Sequence, residues 1–543
     1  MTSRASGYLP INADEAYSLE ADSLQVAEDK VAKQERYRRY LSLAIIMFSM
    51  LVSSIGFSII FGSVWPYYQE IDDGATESFL GFIVASFSFG QLLTSPLIGM
   101  WSNYRPIKEP LIITLVVSTV GSTMYAYALA FEDFGKWILI ASRFIMGLGA
   151  GNIALARSYM AAATMDTERN TAMSLLASMQ ALGFILGPAL GLLFQPLGED
   201  GIEWSSIKLY FNLYTGPGFL GAILSIINIL MVIFLFKEYN LQGIKRRLHF
   251  KRLWHLLVDK CVYMEHRVEA KQLLEHEGSK DDTDNTSTVM YRYDHIAAWS
   301  SILIFFLILI VFAVLDTLLT PMAEDEYAWD GDKATFVVNF LSAVNSIISI
   351  AAFMGTRYIL KWIPERTIFI SGLILMIIGT GIWLPVGPDK PSVEIIDVLS
   401  NYTGDPVDNS TSKLGCNYRK QSWCLDQPKI YLFQYVVGLY ILTPGYCASS
   451  LICYTMFSKI LGPRPQGLMM GFISAAGSAG RTAGPLLLAN MYYSEGPRTT
   501  FIMCIGIISV ALAILLVSYR RIVPHDVYRL KMITKSTSIN SDV

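Results

Sequence analysis

The sequence predicts an all-α membrane protein, with twelve transmembrane helices in two six-helix pseudo-symmetric bundles. Three observations carry this. First, 53% of the 543 residues are hydrophobic and the mean hydropathy is +0.41, above a soluble domain of mixed composition. Second, twelve apolar stretches are each long enough to cross a bilayer, which takes about 20 residues, and six lie on each side of a polar segment, 237 to 296. Third, residues 143 to 191 pair Arg143, Gly147, Gly149 and Gly151 with Gly183, Gly187, Pro188 and Gly191 across a short polar elbow. Residues 464 to 485 echo that elbow and end in Gly480, Gly484 and Pro485. Small residues at helical spacing let backbones touch, which is how membrane helices pack, and the echo implies two repeated halves.

In chain order, the tail 1 to 40 is polar and opens with no apolar h-region, so no cleavable signal peptide is expected. It carries Tyr8-Leu9-Pro10-Ile11, in which Tyr8 and Ile11 have the form of a sorting signal that clathrin adaptors bind as an extended peptide. The first bundle, 41 to 236, holds candidate spans at 41 to 64, 79 to 101, 110 to 131, 137 to 163, 171 to 194 and 211 to 236. The central loop, 237 to 296, contains the apolar and basic run KRRLHFKRLWHLL, suited to a surface helix or to the anionic cytosolic leaflet. The second bundle, 297 to 519, holds spans at 297 to 320, 334 to 356, 367 to 387, 429 to 458, 467 to 491 and 499 to 519, before a tail at 520 to 543.

Charge orients these spans. Of the 42 Lys and Arg, 30 lie in the tails and the loops on their side, 9 in the opposite loops and 3 within spans. The positive-inside rule then puts both termini and the central loop in the cytosol. The opposite loop, 388 to 428, carries sequons at Asn401 and Asn409 and the cysteines Cys416 and Cys424, so glycans and a disulfide are expected there. The remaining cysteines have no metal-ligand spacing, and no phosphate-binding loop or nucleophile elbow occurs. Enzymatic catalysis, a cofactor, a metal and primary pumping are therefore not expected, nor is a nucleic-acid partner.

Gly99-Met-Trp-Ser-Asn103-Tyr-Arg105, between spans 2 and 3, resembles the Gly-x-x-x-Asp-x-x-Gly-Arg loop of the major facilitator superfamily, with Asn103 where an acid is usual. The glycines beside Arg143 resemble that superfamily's span 4 motif, and Gly183, Gly187, Pro188 and Gly191 its span 5 motif. WSNYRPIKEPLI (101 to 112), RSYMAAAT (157 to 164), QALGFILGP (180 to 188), YAW (327 to 329) and SKILGPRPQG (458 to 467) are similar to the lysosomal subfamily that includes the domain-containing protein 8 linked to a neuronal ceroid lipofuscinosis. The resemblance implies a multi-pass protein of the lysosomal membrane and a cavity lined by spans 1, 4, 7 and 10.

An ionised side chain at membrane depth is costly, so it faces a cavity or a partner. Four qualify as substrate or coupling residues: Arg143, Asp316, Arg481 and Arg157. Arg143 ranks first because span 4 lines the implied cavity; the alternative for each arginine is a clamp between helices. Asp316, near the far end of span 7, is the candidate proton carrier, or else a contact at the membrane surface. Gln91, Asn152, Tyr159, Gln180, Asn339, Asn345, Gln434 and Tyr446 are the polar residues expected along a route. Three intramembrane cations against one anion favour an anionic substrate. The expected function is a lysosomal secondary transporter of a small anion by alternating access, with protons as the candidate coupling ion. The alternatives are an endolysosomal anion (chloride) channel and a transporter-like scaffold or sensor.

Overall fold

A computed structural model describes every residue except 1–12, 61–62, 73–76, 132–133, 199–200, 205–208, 239–292, 330, 392–414, 417–420, 463–464, 526–527 and 529–543. Tyr8, Ile11, Asn401, Asn409 and most of the central loop thus lie outside the described residues, as do most of the two tails' side chains.

The long helices fall on the expected stretches. Span 1 ends the helix Ala13–Ser58, and spans 2 and 3 are Glu77–Tyr104 and Lys108–Ala126. Span 4 is split into Gly135–Gly149 and Asn152–Ala163; spans 5 and 6 are Asp166–Gly191 and Gly216–Phe234. The second half repeats this with His295–Tyr327, Gly331–Ile359, Glu365–Ile382, Leu432–Leu461, Gly467–Gly484 and Pro497–Val517 as spans 7 to 12. Among the described residues, 11 helices are long and apolar enough to cross a membrane. Span 11 is the one left out: Gly, Ala, Ser and Arg481 dilute its apolarity. It also ends early, in a π turn at Pro485–Ala489 and a short helix Asn490–Glu495. Pro485 has no N–H to return to the preceding turn, so the regular ladder stops there.

Glycines set the seams between these helices. A side chain at Gly183 or Gly187 in span 5 would overlap Ser54, Leu51 and Ser58 of span 1, and one at Gly480 or Gly484 in span 11 would overlap the Phe306 and Ile310 backbone of span 7. Span 5 on span 1 and span 11 on span 7 are equivalent contacts under a six-span repeat. Gly149 is likewise held against Ser118 of span 3, and Gly151 sits beside Thr94 of span 2, while Gly191 approaches Ile59. The outer faces carry exposed Phe82, Phe89, Val120, Phe234, Phe336 and Val517, as a lipid-facing surface requires. Asp294 caps span 7 by accepting from the Ile296 and Ala297 N–H groups at 2.9 and 3.2 Å.

At the end of the bundle away from the tails, a two-stranded hairpin, β1 Ile202–Trp204 with β2 Leu209–Phe211, links spans 5 and 6. Beside it in the second half, Cys416 and Cys424 are bonded to each other. The bridged loop is held down by the last turns of span 7. Glu326 Oε2 accepts from the Ile430 N–H at 3.0 Å, and Asp325 Oδ2 accepts from the Tyr492 hydroxyl at 3.2 Å. Trp423 packs on Tyr492 with ring centroids 5.5 Å apart. Because the bridge closes a short loop, replacing both cysteines with Ser should lower stability by about 2–3 kcal/mol. Thermal unfolding of the purified protein, with and without reductant, checks this: wild type should respond to reductant and the double variant should not.

Candidate transport cavity

Nine side chains from five spans line a small cavity between the helices: Ser53, Ser54 and Phe57 from span 1, Phe87 and Gln91 from span 2, Ile153 from span 4, Gln180 and Phe184 from span 5, and Arg481 from span 11. The wall divides by chemistry. Phe57 touches Phe87 and Phe184, with centroids 4.7 and 5.8 Å away, which makes one side aromatic. The other side is polar. Gln91 Oε1 accepts from the Arg481 guanidinium and from the Ser478 hydroxyl at 2.9 Å, while its Nε2 donates to the Ala150 carbonyl at 3.2 Å. These bonds fix the amide orientation and aim the guanidinium.

Arg157 approaches from span 4. Its Nη2 donates to Gln180 Oε1 at 3.1 Å, and its other terminal nitrogen donates to the Tyr454 hydroxyl of span 10. The same guanidinium lies 3.7 Å from the Tyr454 ring centroid. Arg157 and Arg481 are close enough to repel, and both act electrostatically on Tyr446. Two cations from opposite halves thus converge on one space. No described acidic side chain forms an ion pair with either.

The sequence candidates separate accordingly. Arg157, Arg481, Gln91 and Gln180 meet at the cavity, and Asn152 joins its rim by donating to the Ser53 hydroxyl at 2.7 Å. Arg143 is not among the lining residues: its guanidinium is fully buried, 5.3 Å from the Phe87 ring centroid. Tyr159 packs on Phe236 near the tails, and Gln434 caps the start of span 10 by accepting from the Tyr431 N–H at 3.0 Å. Asn339 is exposed on span 8, and Asn345 accepts from Thr443 at 2.6 Å between spans 8 and 10. Asp316 lies in the helix of span 7, and its side chain lies outside the described residues.

Several cavity residues carried no sequence signal by themselves. Phe87 and Phe184 stand one helical turn from Gln91 and Gln180, and Ser478 one turn from Arg481, so each shares a face with a polar residue that did signal. Reading the neighbours at i±3 and i±4 of each intramembrane polar residue would have found them.

Below the cavity, towards the tails, the halves are joined. Asn103 Oδ1 accepts from the Gly467 N–H at 2.7 Å, and Asn170 donates to Glu365 at 2.8 Å. Glu365 also pairs with Lys459. Gly99, Gly467 and Gly471 allow spans 2 and 11 to meet backbone to backbone, where any Cβ would overlap main-chain atoms of the other helix. The position at which related loops carry an acid is here a neutral amide that clamps the halves. This geometry closes the tail end of the central route.

Comparison with known proteins agrees with the architecture. The profile of the Major Facilitator Superfamily matches residues 46–400. The Major facilitator superfamily domain-containing protein 8 of Xenopus laevis is 35% identical over 522 residues, covering 94% of this chain and 97% of that protein. The domain-containing protein 10 of Mus musculus is 21% identical over 430 residues, covering 78% of this chain and 75% of its own length. Among solved structures, the human organic anion transporter MFSD10 superposes with a TM-score of 0.57 at 16% identity, over 88% of this chain and 99% of that one. The proton:xylose symporter XylE does so with a TM-score of 0.61 at 13% identity, over 89% and 96%. Matched by the family profile over more than half its length and 35% identical to a relative along 94% of it, the chain belongs to the Major Facilitator Superfamily.

Proposed function

We propose that the chain is a secondary transporter of small organic anions, working by alternating access in the lysosomal membrane with both termini in the cytosol. The observation that carries the substrate class is the convergence of Arg157 and Arg481 without a described acidic partner. Two guanidiniums in a space that excludes most water favour an oxyanion, which the planar donor fork can bind in a bidentate way. The aromatic wall of Phe57, Phe87 and Phe184 suits an apolar body attached to that group. The seam at Asn103, Gly99 and Gly467 supports alternating access, since it would have to part for the tail end to open. The membrane address rests on the lysosomal resemblance and on Tyr8 and Ile11, and the orientation rests on the Lys and Arg distribution.

Asp316 is the proposed proton carrier, since a carboxyl in span 7 can cross the cycle neutral and return charged. Flux of benzenesulfonate in proteoliposomes tests this reading, because a sulfonate stays ionised and does not leak through lipid as a neutral acid. Flux should saturate and rise severalfold under an imposed pH gradient, and Asp316→Asn should keep the saturable exchange while losing the response to the gradient. A conductive current without saturation would replace the transporter with an anion channel. Flux that is pH-dependent in Asp316→Asn would remove Asp316 from the coupling.

A further inference from the structure

Arg143 poses a problem that the transport cavity does not solve. Its side chain is fully buried, and Nε, Nη1 and Nη2 all lack a hydrogen-bond partner. Burying a charge without pairing it costs the folded state its hydration, and the one described stacking contact, with Phe87, returns only part of that. The local sequence nevertheless enforces the position. Gly147, one turn along span 4, has no Cβ because one would overlap the Phe87 carbonyl, so spans 2 and 4 close on each other and Arg143 is drawn beneath the Phe87 ring. Phe87 also lines the cavity, where its ring touches Phe57, and Arg481 lines the same cavity. One aromatic side chain therefore touches both the cavity and an enclosed cation whose three guanidinium nitrogens lack partners.

We infer that Phe87 is a gate ring over a second anion subsite, in which Arg143 binds an oxyanion group once the ring swings aside. This rests on the transport reading above and narrows its substrate class. The solute would carry two oxyanion groups on a small apolar frame, one held at Arg481 and Arg157 and the other entering beneath Phe87. A carboxylate, sulfonate or phosphate would each satisfy the planar fork, while a halide would use it only as a point charge.

The test compares two probes on the purified full chain: benzenesulfonate with one anionic group and 1,4-benzenedisulfonate with two, each titrated by thermal shift and calorimetry. Wild type should bind the disulfonate about tenfold more tightly, as expected for one further charge-assisted contact. Arg143→Gln should bring the ratio of the two affinities close to one. Phe87→Ala should raise the ratio, and Arg143→Gln in that background should collapse it again. Without ligand, Arg143→Gln should melt higher than wild type, because an unpaired cation has been removed; a clamp between helices would make it melt lower. An unchanged ratio in Arg143→Gln, or equal affinities in wild type, overturns the second subsite while leaving the first intact. Failure of wild type to bind either probe overturns the anion reading and the subsite together.

Discussion

Replacing Arg481 with Gln is expected to weaken benzenesulfonate binding by at least about 30-fold, because truncating one partner of a desolvated charge contact costs roughly 2–5 kcal/mol and each 1.4 kcal/mol is tenfold. Arg481→Lys should recover only part of the loss: it restores the charge but not the planar fork that meets two oxygens at once. Arg157→Gln should show a smaller loss, since its guanidinium is already occupied by Gln180 and Tyr454. Because the two cations share one space, the double variant should depart from the sum of the single losses. Calorimetric titration of the five proteins measures all of this. Equal affinity in wild type and Arg481→Gln would show that the polar wall is only a clamp between the halves.

The second large effect concerns the seam between spans 2 and 11. A Cβ at Gly471 would lie 2.5 Å from the Ser95 carbonyl oxygen and 2.8 Å from the Pro96 Cα, both main-chain atoms of the opposite half. Neither can retreat without moving a helix. Gly471→Leu should therefore hold the tail end apart, leaving a folded protein with transport reduced more than about tenfold, the scale of a bias of 1.4 kcal/mol or more against one state. The conformation can be read directly from Ser53→Cys, since Ser53 lines the cavity, in a background lacking Cys261, the cysteine of the central loop 237 to 296. A membrane-impermeant thiol reagent applied from the tail side should label it faster in Gly471→Leu than with Gly471 in place. Normal transport with unchanged labelling would mean that this seam never opens.

Much of the architecture was legible because it is written in backbone geometry. Glycines at helical spacing report close approach whichever residue they meet, so the motifs around Gly147, Gly183 and Gly480 marked true helix contacts. The orientation of side chains was less legible. Arg143 and Arg481 look alike in sequence, both cations in Gly-rich spans, yet Arg481 lines the cavity while Arg143 is buried against Phe87. Gln434 looked like a lining residue, yet with Tyr431 it forms the capping box of span 10, a local pattern that sequence spacing does contain. The seam of Gly99 with Gly467 could not be read, because its members belong to different halves and meet only where one half packs on the other. Tyr159 and Asn339 show the same limit, since helical phase against a distant partner is set by packing and not by the residue itself.

An anion site formed by Arg157 and Arg481 in a moving carrier should support counterflow. Proteoliposomes holding the purified chain are loaded with unlabelled benzenesulfonate and diluted into a trace of labelled benzenesulfonate. Label should accumulate transiently above equilibrium in wild type and not in Arg481→Gln. Accumulation that persists in Arg481→Gln, or wild-type entry that only drifts to equilibrium, would contradict an anion site in a moving carrier.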